Sequence, residues 1–149
     1  MPKSLADPVV RAEIVRRLST LTPESSGRWG EMTVGRMLCH VGDVYEAQYA
    51  PATRILPGRL PFRAFPVKQL ALYVVPFPRG VKVPRQLFKT APGELAEDLA
   101  RVQRLTEEYP ERAGANGWPG HPYFGPLTGA EWGIFNYKHL DHHLRQFGA

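Results

Sequence analysis

The placement of proline limits this chain more than any other feature. Of its fifteen prolines, eight fall between residues 50 and 92, at positions 51, 57, 61, 66, 76, 78, 84 and 92. Proline removes a backbone donor and clashes with the preceding helical turn, so this interval cannot hold a long helix or a central strand. Within it, only Val67 to Val75 reads as a short helix. Elsewhere the apolar residues recur with helical period.

Four helices are expected. The first runs from about Pro8 to Thr20, with Asp7 as N-cap, Pro8 in the first turn, and Val10, Ile14 and Leu18 on one stripe. The second runs from about Val34 to Tyr49, capped by Thr33 and ended by Pro51. Val34, Met37, Leu38, Val41, Val44, Tyr45 and Gln48 share its face. The third runs from about Glu94 to Tyr109, with acidic residues in its first turn and Pro110 as its stop. The fourth runs from about Gly129 to Phe147. Its start is the most sharply written point of the chain: Thr128-Gly-Ala-Glu131 is a capping box, and Leu127 with Trp132 forms a hydrophobic staple.

Four helices joined by one long proline-rich crossover between the second and third predict an all-α four-helix bundle. A connection of that length is usually functional or wraps the core. The 149 residues suit one domain and bury enough surface to fold without disulfides. The single cysteine, Cys39, fits a reducing, cytoplasmic setting and reads as a buried, inert thiol. The N-terminus is polar and reads as no leader. The most apolar stretch, Phe62 to Phe77, is broken by Arg63, Pro66, Lys68 and Pro76, so no transmembrane segment is expected.

The net charge of +5 is unevenly spread. No acidic residue lies between Glu46 and Glu94, and the interval holds Arg54, Arg59, Arg63, Lys68, Arg79, Lys82, Arg85 and Lys89. A solvated face is the plainer reading of this run, with anion binding or membrane-surface association as the others. No nucleic-acid motif accompanies the charge, and no nucleic-acid partner is expected.

Three of the five histidines lie in Lys138-His-Leu-Asp-His-His-Leu-Arg145. His139 and His143 are one turn apart on one face, which also carries Trp132, Phe135, Asn136, Leu140 and Phe147. Lys138, Asp141 and Arg145 mark the opposite, solvent side, where Asp141 can pair with either cation. Two imidazoles inside an apolar stripe need partners, because burying a polar group without one costs about 1–3 kcal/mol. A shared metal ion answers that need better than two separate hydrogen bonds. A third ligand must then come from another helix, and His40, at the edge of the second stripe beside Met37 and Val44, is the candidate. On spacing alone, a hydrogen-bonded His40 is an equal alternative. His142 reads as a partly exposed histidine at the stripe edge. His121, in the turn Trp118-Pro-Gly-His-Pro122, reads as structural or as a residue at the mouth of a pocket. The motif is not that of a zincin, since Leu140 stands where the general-base glutamate would be. Neither a phosphate-binding glycine loop nor a nucleophile elbow is present.

Trp29-Gly-Glu-Met-Thr-Val34 and Met37-Leu-Cys-His-Val-Gly-Asp43 resemble the second-helix segment of the DinB superfamily. His139-Leu-Asp-His-His-Leu-Arg-Gln146 resembles its fourth-helix motif. Pro76-Phe-Pro-Arg-Gly80 and His121-Pro-Tyr-Phe-Gly-Pro-Leu-Thr-Gly-Ala-Glu-Trp132 are similar to one branch of it that has no assigned activity. The resemblance implies an up-down-down-up bundle, a homodimer, and a divalent metal ion held by His40, His139 and His143. Zinc or nickel come first as that ion, iron or manganese next. Members with assigned activity are metal-dependent transferases using a low-molecular-weight thiol (bacillithiol, mycothiol or glutathione) or hydrolase-like enzymes. One departure is that Leu144-Arg145 stands where the superfamily often has Arg-Gly before the glutamine.

Two functional readings are open. In the first the chain is a metal-dependent enzyme acting on a small-molecule substrate, with Asp43, Asn136, His142 and Gln146 supporting the ligands. In the second it is a non-catalytic bundle that binds a small ligand or a protein partner, with its histidines structural.

Overall fold

The helix boundaries follow the caps. In the computed structural model, which describes residues 1–51, 57–82 and 88–149, α1 spans Pro8–Leu18. The Asp7 carboxylate accepts from the Val9 N–H at 2.8 Å, and Val10, Ile14 and Leu18 are buried. Helix α2 spans Val34–Tyr49, and the Thr33 hydroxyl accepts from the Arg36 N–H at 3.2 Å. Residues 52–56 and 83–87, which include Arg54 and Arg85 of the basic interval, lie outside the described residues. Among the described residues the crossover forms one helical piece, α3 (Val67–Gln69), which continues as a π-helical turn over Leu70–Val74. Leu72 anchors that turn: its side chain is fully buried, a contribution of about 2 kcal/mol.

Helix α4 spans Leu95–Glu107. Pro110 does not stop it, as the sequence suggested. The helix ends at Glu107, and Pro110 sits in the first turn of a further short helix, α5 (Tyr109–Arg112). Proline is well placed there, because first-turn N–H groups have no helical acceptor anyway. A two-residue ladder, β1 (Gly120–His121) with β2 (Gly125–Pro126), leads into α6 (Gly129–Gln146). Both halves of the Thr128–Glu131 capping box are formed, at 3.2 and 2.8 Å.

The fold is all-α apart from that small ladder. Helix α2 packs on α4, and α1 packs on α4 and α6. Their stripes meet in one core that includes Ile14, Leu18, Met37, Leu38, Val41, Val102, Leu105, Leu140 and Leu144. A second, smaller cluster joins Leu72 of the crossover to Phe124, Leu127, Trp132 and Phe135. It seats the crossover on the first half of α6.

Polar ties join segments far apart in the chain. Arg101 of α4 lies across Gly42, where a side chain would collide with its guanidinium, and reaches Asp43 at 2.9 Å and Glu46 at 2.8 Å. Lys138 corrects its expected solvent position. Its ammonium donates to the carbonyls of Ala71 at 2.5 Å, Leu72 at 3.2 Å and Val75 at 2.6 Å. The end of a helical turn leaves such carbonyls without internal partners, and Lys138 supplies them. Asp141 pairs with Arg145 at 2.9 Å, one of the two cations expected, and with Arg17 of α1 at 2.8 Å. Among the described residues no helix is long and apolar enough to cross a membrane.

Candidate metal centre

Helices α2 and α6 each turn imidazoles into the space between them. The i,i+4 spacing on α6 brings His139 Nε2 to 3.2 Å from His143 Nε2. From α2, His40 Nε2 comes to 3.1 Å from the same His139 nitrogen. One nitrogen from each of the three residues fits within a 4.8 Å cluster. His40 and His143 are buried and His139 is partly exposed.

Hydrogen bonding alone does not satisfy this arrangement. Gln146 Nε2 donates to the Trp29 carbonyl at 3.0 Å, which turns Oε1 toward His143 Nδ1 at 2.9 Å. His143 Nδ1 must therefore carry its proton, and a neutral His143 presents a bare lone pair at Nε2. His139 Nε2 then faces two other Nε2 atoms with one position to offer. If it carries a proton, that proton serves one neighbour well. If it is bare, it faces the lone pair of His143. Among the described residues the buried His40 Nδ1 has no partner. Three converging lone pairs are what a metal ion uses. Two nitrogens about 2.0–2.1 Å from a tetrahedral zinc stand about 3.3 Å apart, close to the spacings found here. The three histidines fit a divalent ion.

Their protonation fits as well. Burial pushes the pKa of His40 down to about 4, against a smaller opposing effect of Asp43. Burial does the same for His143, also to about 4. His139 is lowered well below the ordinary value, first by burial and then by the other imidazoles. All three are neutral at pH 7, the form that coordinates metal.

The residues expected to support the ligands separate into three kinds. Gln146 touches a ligand directly through His143. Asn136 is buried beneath His139 but donates to Gln48 Oε1 at 2.9 Å, linking α6 to α2. Asp43 does not hold His40. Its carboxylate accepts from Thr90 Oγ1 at 2.6 Å, from the N–H groups of Lys89 and Thr90 at 2.9 Å, and from Arg101. These donors keep it charged, so it acts on His40 only through its field. His142 is half-buried, with its ring 5.5 Å from Trp29 and 5.3 Å from His143.

His121 is placed as a turn-holding residue. Its Nδ1 accepts from the N–H groups of Tyr123 at 3.1 Å and Phe124 at 3.2 Å, and its ring packs 4.6 Å from Phe135. Phe135 in turn stacks on His139 at 5.7 Å. Cys39 is buried, and burial raises its thiol pKa to about 11, which leaves it unreactive at neutral pH.

Loop residues that carry no helical period complete the surroundings. Phe88 packs 5.4 Å from His40, and Arg36 lies over Phe88 at 4.9 Å. Arg79 lies over Trp29 at 4.2 Å. Among the described residues neither arginine has a carboxylate partner. An aromatic residue inside a basic, proline-rich run is the one trace of this arrangement that the sequence carries.

A helical bundle whose core brings together three neutral imidazoles from two helices defines a class: all-α proteins with a histidine centre able to hold a metal. A family profile of the DinB superfamily matches residues 9–147, and the chain belongs to that superfamily. Neither a curated protein nor a solved structure matches the chain.

Proposed function

We propose that this protein is a divalent-metal-dependent enzyme in which His40, His139 and His143 hold the ion, zinc or nickel, and that a low-molecular-weight thiol or water is activated there for transfer or hydrolysis. The observation that carries the reading is the convergence of three neutral Nε2 atoms that hydrogen bonds cannot satisfy together. When bound, a divalent ion lowers the pKa of a coordinated water or thiol and so supplies a nucleophile at neutral pH.

The chain's own residues have separate tasks. Gln146 fixes the His143 tautomer, and the turn at Trp29 fixes Gln146. Phe88 and Phe135 pack against the His40 and His139 rings and hold them in place. Arg36 and Arg79, held over aromatic rings, are free to orient a substrate that carries carboxylates. The competing reading of a non-catalytic bundle needs the three Nε2 atoms to be paired by hydrogen bonds, and a single His139 nitrogen set between two others does not pair with both.

Elemental analysis of dialysed protein tests the proposal. One divalent ion per chain is expected, falling to none in His40→Ala, with a lower unfolding temperature after chelation. A chain that retains no ion and unfolds identically with and without chelator would overturn it.

A further inference from the structure

Helix α3 and the π-helical turn are apolar on the wrong side. Leu72 points inward and is fully buried, as a surface helix requires of its inner face. The outer face should be polar, yet Leu70, Tyr73 and Val74 are exposed there, Val74 by 69%. The segments on either side extend the pattern. Leu60, Phe62 and Phe65 precede the helix and Val75 and Val81 follow it, all exposed, with Phe65 at 82%. Tyr123 joins the patch from the β1–β2 turn, with its ring 5.8 Å from Phe62. So many exposed large apolar groups within one short segment mark a surface that meets a partner.

The patch is also basic. Arg59 lies over Tyr123 at 5.6 Å, and Arg63 and Lys82 are exposed beside Phe62 and Val81 in sequence. Among the described residues, Arg59, Arg63, Arg79 and Lys82 have no acidic partner, and the sequence has no acidic residue from 47 to 93. A second copy of this chain is a poor occupant. Across a twofold axis the patch would meet itself and set these cations against their own copies. The surface of an anionic bilayer supplies both an apolar layer for the aliphatic and aromatic groups and negative charge for the cations.

We propose that the outer face of residues 59–82, with Tyr123, docks this protein on an anionic lipid surface. The proposal stands independently of the metal reading. Leu60, Phe65, Leu70 and Val74 enter the headgroup boundary, Tyr73 and Tyr123 sit at its polar level, and Arg59, Arg63 and Lys82 contact lipid phosphates. Lys68 is excluded from that role, because it is bound to Glu131 at 3.1 Å and to the Pro126 carbonyl at 3.0 Å.

Co-sedimentation of the full chain with phosphatidylcholine vesicles, with and without phosphatidylglycerol, tests this. Binding is expected only to the phosphatidylglycerol vesicles, and it should weaken as salt rises. The double variant Phe65→Ser/Val74→Ser should weaken binding about tenfold or more. Arg63→Glu/Lys82→Glu should weaken it about twentyfold or more. All four side chains are exposed, so an unchanged thermal midpoint will show that both variants fold. No binding to the anionic vesicles, or binding that neither variant alters, overturns the proposal. So does a dimer in solution that the serine variant converts to monomer, because the patch would then belong to a second copy.

Discussion

The inner face of α6 and the outer face of the crossover break the same rule in opposite directions. In the first, imidazoles stand where a bundle puts leucine. In the second, leucine, valine and phenylalanine stand where a surface puts lysine and glutamate. The buried violation is local and closely specified: three nitrogens converge at 3.1 and 3.2 Å, with Gln146 fixing one of them. The exposed violation is broad and has no internal partner among the described residues, with its side chains spread over a proline-rich segment. A site that must hold one atom needs fixed geometry. A face that meets a fluid surface needs only area and charge. The difference in precision between the two regions therefore points to the difference in what each recognises.

The largest expected effect separates the buried face from everything else through pH. In the metal-free protein the folded-state pKa values of His40, His143 and His121 lie near 4, below the unfolded value of about 6.5. As pH falls the unfolded chain takes up protons first, so stability is complete above about pH 6.5 and is lost progressively toward about pH 4. A shift of this size is roughly 3 kcal/mol for each histidine, and urea unfolding across that window measures the slope. A flat profile between pH 4 and 6.5 would show that the imidazoles are not buried as neutral groups.

A smaller effect probes how tightly the buried centre is held. Gln146→Leu removes the acceptor that sets the His143 tautomer and should weaken metal binding about 10–100-fold without abolishing it. Competition with a chromophoric chelator measures the change. An unaltered affinity would remove Gln146 from the centre. The smallest effect belongs to the crossover. Val74→Ser should change folding stability by less than about 0.5 kcal/mol in urea, because the side chain is already 69% exposed. A loss of about 2 kcal/mol or more would mean that this face is core after all.

Much of the interior is legible in the chain itself. Asp7, Thr33 and the Thr128–Glu131 box each begin a helix where the sequence places it, since a cap is written within four residues of the backbone it serves. The pairing of His139 with His143 is equally local. His40 is different, because periodicity puts it at a stripe edge, and the resemblance to the superfamily is needed to single it out. The features hidden from the sequence depend on contacts between distant segments. Lys138 reads as solvent-facing, but the crossover presents it with three carbonyls. Asp43 reads as a residue supporting the ligands, but Arg101, Lys89 and Thr90 take its oxygens. Phe88, Trp29 and His121 lie in loops, where no period shows which way a side chain turns.

Adjacent residues on α6 serve the two contrasting regions: Lys138 clasps the crossover and His139 faces the other imidazoles. Successive helical residues are separated by about 100° around the axis. Inserting or deleting one residue between Thr128 and Lys138 would therefore swing both away from their targets together. A change of length in residues 76–82 would leave the imidazoles in register. The first half of α6 is thus an indexing rod, intolerant of any change in its count, while a change of count in the strap beside it would move only its own contacts, such as Arg79 over Trp29.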